Sequence, residues 1–538
     1  MPLSHLSPQD RALFWQFGQG PEVPVPDTFV HRAVERRAAA APDAVAAEHQ
    51  GTTITYGELN RRADGLAARL VREGVRPGDH VGLFVRRSIP MLVGLLGTLK
   101  AGAAYVPQDI CLAPAAQLRH VIRTAGTRVV LTQSEYTPLV PLPDAGHRLI
   151  TLDDDDLAQR GPVPPGRSVR IDGRPVRIDG RSVRIDGRPV PTDGRPVRPD
   201  DGCYVLFTSG TTGHPNGVEV THRNVANILL TAPGDLGIRP GDRVAQLLNI
   251  AFDMAAWEIL GCLAHGGTLV IRGKDIAAAA RTADVLIATP TVLSGIDPAD
   301  CPRVRTVAVA GEPCPRPLAD AWARRSAFHN SCGPTETTIV NTMRRHHVDD
   351  PLLTIGRPTP NNTVYVLDEH RRALPIGEVG EMWAGGDCVS AGYLDNEALN
   401  AERYAPDPFL GAGRRMFRTR DLGRWTPDGE LEHLGRTDDQ VKVRGFRVEL
   451  DSVSSVLESV AGCRRAVTLK RDARTLVAFV CPADVDPDTA RRAVADALPY
   501  YCVPAEVLAL PFLPETDRGK IDKAALLRMV EARMAVAR

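Results

Sequence analysis

The sequence predicts an α/β fold in two unequal parts: a large multi-subdomain N-terminal α/β domain over residues 1–436 and a smaller α+β C-terminal domain over 437–538. Three observations lead there. At 538 residues the chain exceeds what one hydrophobic core supports, so more than one domain is expected. Amphipathic segments with helical spacing alternate with short apolar runs, as in α/β proteins. After about Gly435 the texture changes to short charged strands followed by helical segments, which fits a second domain of roughly 100 residues.

The elements follow in chain order. Glu58 to Val71 sets Leu59, Ala63, Leu66, Ala67 and Leu70 on one face of a helix. His80–Phe84 and Arg128–Thr132 are apolar runs expected to be buried strands. From Gly166 to Asp200 the sequence repeats five times with period seven, as GRSVRID and its variants. Each unit opens on Gly and Pro recurs through the tract, which excludes a continuous helix, so a solvated, disordered insertion is expected over 161–201. His346-His347-Val348-Asp349-Asp350 is expected to be a solvated loop, and Val453–Val460 and Asp488–Leu498 are expected helices.

Lys plus Arg equals Asp plus Glu, at 65 each, so no bulk field draws in nucleic acid or an anionic membrane, and a small-molecule ligand is expected. The ten cysteines are scattered without Cys-x-x-Cys pairs, which argues against structural zinc or a disulfide framework. No basic leader with an apolar run opens the chain, and no stretch of about 18 uninterrupted apolar residues occurs. A cytoplasmic protein is the expectation.

Residues 205–217 read VLFTSGTTGHPNG, an apolar strand entering a turn rich in Gly and hydroxyls. Glycine lets the backbone approach a ligand closely, and successive N–H groups with the hydroxyls of Thr208, Ser209, Thr211 and Thr212 can converge on one anion. The spacing is not that of the Walker loop, since no Lys-Ser or Lys-Thr closes it. Further segments follow: ITYGEL at 54–59, LKAGAAYVP at 99–107, FDMAAWE at 252–258, NSCGPTETT at 330–338, RTRDL at 418–422, GRTDDQVKVRG at 435–445, LPYYCVP at 498–504 and GKID at 519–522.

Together these resemble the adenylate-forming ligases, which include acyl-CoA ligases, luciferases and the adenylation domains of nonribosomal peptide synthetases, and they are most similar to the last. The resemblance spans about residues 25 to 525. It implies the adenylate-forming fold with a hinge at Asp438, and ATP and Mg2+ as cofactors. Glu336 is the implied magnesium ligand, since a hard cation prefers carboxylate oxygen. The implied catalytic set is Lys520, Glu336 and Thr211, with Lys520 bridging the substrate carboxylate and the adenylate oxygens. Nucleotide contacts are implied for Thr208, Ser209, Gly210, Thr211, Thr212 and Gly213, for Gly311, Glu312 and Pro313, and for Ser331, Cys332, Gly333 and Thr335. Asp421 corresponds to the carboxylate that grips the ribose hydroxyls, with His433 and Arg436 beside it. Lysine is scarce here, six residues against many arginines, which makes Lys520 less expected as generic surface.

The same resemblance assigns substrate contacts. Asp253 stands where an aspartate pairs with the α-ammonium of an amino acid; Met254, Trp257, Ile287, Ala308, Ala310, Ser331, Ile339 and Val340 would form the rest of the wall. Apart from Ser331 that wall is apolar, which implies an apolar or aromatic side chain. The chain departs from the family in Asn216, where a lysine is usual, in Cys332, where an aromatic ring is usual, and in Arg420, where a glycine is usual. Weakened ATP binding is the expected consequence, with Arg420 a candidate to replace the charge missing at position 216.

The expected activity is that of a stand-alone amino-acid adenylating enzyme, which forms aminoacyl-AMP and pyrophosphate and passes the acyl group to the phosphopantetheine thiol of a carrier protein in trans. A small accessory activator protein is a further candidate partner. The alternatives are an amide synthetase using a free amine, an acyl-CoA ligase, and a degenerate nucleotide-binding protein without turnover.

Overall fold

The computed structural model describes residues 3–144, 146–153, 169–171, 174–178, 183–185, 188–189, 196–210, 215–411, 413–514 and 521–536. It divides into two compact units. The first comprises Met1–Ile110, Ile122–Leu206 and Gly217–Thr437, the second Cys111–Val121, Phe207–Asn216 and Asp438–Arg538.

Two large sheets build most of the first unit. One has nine strands and a parallel centre, with Val45–His49, Thr268–Ile271, Arg243–Gln246, Val285–Ala288, Thr306–Val309 and Ala327–Cys332 side by side. The other has seven, with His80–Val85 and Val129–Thr132 at the positions expected of buried strands. Their central strands are almost entirely apolar and buried, as strands covered on both faces must be. A five-stranded antiparallel sheet also belongs to the unit and includes the long strand Arg415–Trp425 paired with Leu431–Arg436.

The expected helix at Glu58–Val71 spans Tyr56–Arg72. Thr55 caps it by accepting the Glu58 N–H, the five predicted apolar positions are buried, and Arg69 and Arg72 lie in the last turn, where cations favour the helix dipole. In the second unit Leu450–Glu458 and Pro487–Ala497 occupy the two expected helical stretches. They pack with a three-stranded sheet of Arg465–Lys470, Leu476–Cys481 and Glu506–Ala509, an α+β arrangement with its own core. All ten cysteines are free thiols.

Two expectations need correction. The heptad tract contains paired strands: Val169–Ile171, Arg174–Ile178, Val183–Ile185 and Arg188–Pro189 form an antiparallel meander in which Val176 lies opposite both Val169 and Ile185. The Val-Arg-Ile segments of the first three units are β-branched at both ends, which favours extended structure and suits these strands. The rest of 154–195 lies outside the described residues. His346 is no solvated loop residue either. It ends the strand Thr342–His346, is buried, and its Nε2 lies 2.7 Å from Asp320.

Candidate active site

One strand delivers two parts of the candidate site. Ala327–Cys332 runs parallel to Thr306–Val309, with Ala308 opposite His329, and Ile287 opposite Ala308 one strand further. Residues paired across a parallel ladder share a face, so Ile287, Ala308 and His329 form one row, and alternation puts Ala310 and Ser331 in the next row toward the strand ends. Ile287, Ala308, Ala310 and Ser331 are all buried. Four predicted substrate contacts thus lie together on one sheet face.

The predicted residues Asp253, Met254 and Trp257 begin a helical segment, Asp253–Ala256 in α form and Trp257–Gly261 as a π turn. A methyl group on Gly311 would lie 3.8 Å from the Met254 sulfur, which brings this helix start against the end of the Thr306–Val309 strand. Asp253 is half-buried and accepts the Met254 N–H at 2.7 Å. Trp257 is fully buried, and its indole N–H donates to the Gly234 carbonyl at 2.7 Å. The π turn, a feature frequent at functional sites, also turns Glu258 inward. Glu258 accepts the N–H of Leu247 at 2.8 Å and of Leu248 at 3.2 Å, while Arg87 donates to the carbonyls of the same two residues. Burial pushes the Glu258 carboxyl up to about 8 against the pull of these donors. This clamp fixes the segment leading into Asp253. It was invisible in the sequence because Arg87 is remote from it in the chain.

Beyond Ser331 the strand enters a tight loop. A side chain on Gly333 would meet the Val340 backbone at 2.6 Å, so only glycine fits. Thr335–Thr337 form a 3-10 turn, and Thr338 and Ile339 follow at φ +56° and +69°. A β-branched residue in the left-handed region is strained, and such strain concentrates at functional sites. Glu336 and Val340 are fully buried. The Tyr393 hydroxyl donates to Glu336 Oε1 at 2.6 Å, and Ser390, whose N–H donates to the Glu336 carbonyl, shares a 2.7 Å hydrogen bond with the Tyr404 hydroxyl. An oriented buried carboxylate suits a magnesium ion chemically.

Asp421 lies on the strand Arg415–Trp425 opposite Arg436. Its Oδ1 accepts from Arg436 at 2.6 Å and from His433 Nε2 at 3.3 Å. The Gly435 N–H donates to His433 Nδ1, which assigns the proton to Nε2 in the neutral ring. Burial alone would raise the Asp421 carboxyl, but the His433 hydrogen bond and the Arg436 charge outweigh it and hold it below the ordinary range. Arg420 takes φ +62°, which explains why glycine is usual there, and its guanidinium pairs with Glu402. Its charge is therefore answered in this structure by Glu402.

Gly311 has φ +87°, and the Glu312 side chain accepts both the N–H and the hydroxyl of Thr291, at 2.9 and 3.0 Å. Cys332 is half-buried and pairs with Thr342 across the sheet. In the second unit the Ser209 hydroxyl donates to the Arg447 carbonyl at 3.2 Å, after Thr208 ends its strand. Gly210 follows among the described residues, whereas Thr211, Thr212, Gly213 and Lys520 lie outside them. Asp438 is the first residue of the second unit's main segment.

Glu336 in its loop, Asp421 on the long strand and Ser331 on the apolar sheet face are each buried and held in place by neighbouring groups or strand pairing. A family model described as AMP-binding enzyme matches residues 34–394. Adenylate-forming reductase 03009 of Coprinopsis cinerea is 46% identical over 530 residues, which cover 98% of this chain and 49% of that protein. Phosphinothricin tripeptide synthetase PhsC of Streptomyces viridochromogenes is 36% identical over 514 residues, 92% of this chain and 45% of that protein. Among solved structures, PA1221, a nonribosomal peptide synthetase protein containing adenylation and PCP domains, matches in fold with a TM-score of 0.77 at 24% identity, over 97% of this chain and 99% of that one. The chain belongs to the AMP-binding enzymes, as an adenylate-forming domain of the nonribosomal peptide synthetase type. It spans about half the length of the adenylate-forming reductases it matches.

Proposed function

We propose that this domain adenylates an apolar or aromatic amino acid, using ATP and Mg2+, and passes the acyl group to a phosphopantetheine thiol on a carrier protein. The observation that carries the amino-acid assignment is Asp253, a half-buried carboxylate at the start of a helix abutting an apolar sheet face. An ammonium group there gains a charge partner in a site of low dielectric, and a plain acid does not. Asp421, held by Arg436 and His433, is proposed to receive the ribose, Glu336 the magnesium ion, and Lys520 the reacting oxygens. When bound, magnesium would neutralise the leaving pyrophosphate. Asp438 is proposed as the hinge between half-reactions.

Amino-acid-dependent exchange of pyrophosphate into ATP, run over a panel of amino acids and plain acids, tests this. Exchange with amino acids and its loss in Asp253→Ala are expected. Exchange with plain acids alone would overturn the amino-acid assignment.

A second reading rests on the 46% identity to an adenylate-forming reductase. Under it a nicotinamide-type hydride donor reduces the carrier-bound acyl thioester to the aldehyde with release of the carrier thiol, instead of the acyl group being condensed. Recovery of an aldehyde rather than a peptide from the full assembly would decide for it.

A further inference from the structure

A cavity of about 570 Å3 lies within the first unit, and none of the residues implied for nucleotide or substrate lines it. That volume suits a small molecule. Its wall carries the guanidiniums of Arg223, Arg414 and Arg415 and the carboxylates of Asp200 and Asp387. Arg223 donates to both oxygens of Asp200, at 2.8 and 3.3 Å, and Arg414 donates to Asp387 at 2.7 Å. Arg415 has no carboxylate partner among the described residues, so its positive charge on the wall is unanswered. Its Nη2 donates to the carbonyls of Ser390 and Ala391, both at 2.9 Å, and its guanidinium carbon lies 5.1 Å from the centre of the Tyr404 ring. Those contacts fix the group without neutralising it. Nε and Nη1 have no acceptor among the described residues, and arginine N–H groups are strong donors to carboxylate and phosphate oxygens.

We propose that this cavity is a regulatory site for a small oxyanion, a carboxylate or a phosphate, held by Arg415. The segment from Ser390 to Tyr393 links the site to Glu336. Arg415 holds the carbonyls of Ser390 and Ala391, while the Ser390 N–H donates to the Glu336 carbonyl at 3.0 Å and the Tyr393 hydroxyl to the Glu336 carboxylate at 2.6 Å. An anion that restrains Arg415 therefore steadies the segment that orients Glu336 through both its backbone and its side chain. A ligand shifts such an arrangement only as far as it prefers one state, and here the charge of Arg415 supplies the preference. The link to magnesium rests on the adenylation reading; the binding of the anion does not.

Calorimetric titration of the intact chain with inorganic phosphate and, separately, with succinate tests the site and tells the two chemistries apart. Each titration is run with and without saturating AMP. Saturable binding of at least one anion in the presence of AMP is expected. Arg415→Met should weaken it by at least about 10-fold, as the loss of a hydrogen bond to a charged group does. Ala391→Glu keeps Arg415 and tethers a carboxylate beside it, because Ala391 is exposed and lines the cavity, so this variant should abolish binding even where Arg415→Met fails to fold. In pyrophosphate exchange the anion that binds is expected to lower the Mg2+ requirement severalfold in the parent and to leave it unchanged in Ala391→Glu. No saturable binding, binding that AMP displaces, or undiminished binding in Ala391→Glu overturns the site. Binding with no change in the Mg2+ requirement overturns its regulatory role. Exchange with no acid at all removes the adenylation reading and that role with it, while the calorimetry still decides the anion site.

Discussion

The Tyr393 hydroxyl donates a 2.6 Å hydrogen bond to the buried carboxylate of Glu336, across 57 residues of sequence. Tyr393 belongs to a two-residue strand paired with Asn216–Thr221, so an edge strand of one sheet orients a carboxylate in a loop leaving the other. Tyr393→Phe removes the donor and leaves a buried acceptor short of a partner, a loss of about 1–3 kcal/mol. A lower melting temperature is expected together with a severalfold higher Mg2+ requirement in pyrophosphate exchange. An unchanged magnesium titration would mean that Glu336 does not hold the metal.

Asp421 yields a pH prediction. Its folded pKa lies below the ordinary 3.8, because hydrogen bonding from His433 and the Arg436 charge overcome burial. A depressed acid contributes stability above its unfolded pKa and loses it only as pH falls through the folded value. Nucleotide binding should therefore show no acid limb from Asp421 above about pH 4. Arg436→Ala strips one partner from a buried carboxylate, for which a loss of about 3–5 kcal/mol is typical, and should introduce such a limb. Titrating AMP binding against pH in both proteins reads this directly.

Acid stability depends instead on buried histidines. His222 is fully buried against Phe29 and His31, neither ring nitrogen has a hydrogen-bond partner among the described residues, and desolvation lowers it to about 4. His329 is likewise lowered to about 4, chiefly by burial. The unfolded chain takes up these protons near pH 6.5 and the folded chain does not. Stability is then complete above about 6.5 and falls as pH drops toward 4, by up to about 1.4 kcal/mol per pH unit for each group. His222→Phe should keep the ring packing and flatten part of that slope in denaturant melts at pH 7, 6 and 5.

How far the sequence reached depended on range. The helix at Tyr56–Arg72 was legible from one face of apolar residues and the strand at His80–Val85 from a compact apolar run, because both signals are local. Ser331, Ala308, Ala310 and Ile287 could be named from motif position, but their sharing of one face needed the register of three parallel strands. Tyr393 and Arg87 carried no signal, since each acts on a residue more than fifty positions away. In the heptad tract Gly and Pro exclude a helix but leave room for the short paired strands at Val169–Ile171, Arg174–Ile178 and Val183–Ile185.

Arg420 holds a left-handed backbone conformation beside Asp421 while its side chain pairs with the partly exposed Glu402. Arg420→Gly relieves strain of about 1–2 kcal/mol and forfeits a surface-type ion pair of about 0–1 kcal/mol. Equal or higher thermal stability is expected, with an ATP Michaelis constant within about threefold of the parent. A severe loss of ATP affinity would show that the guanidinium leaves Glu402 for the nucleotide.

The two proposed half-reactions separate by mutation. Loss of one transition-state donor typically lowers turnover by about 100- to 1,000-fold, so Lys520→Ala should nearly abolish pyrophosphate exchange with an unchanged melting temperature. Asp438 opens the second unit's main segment, and proline there fixes φ and restricts the preceding residue. Asp438→Pro should spare exchange and block acyl transfer to a carrier thiol, measured by thioester formation on a phosphopantetheinylated carrier protein. Under the proposed hinge role, a defect at Asp438 splits the two activities. Equal loss of both in Asp438→Pro would reduce that residue to a structural role, whatever the outcome at Lys520.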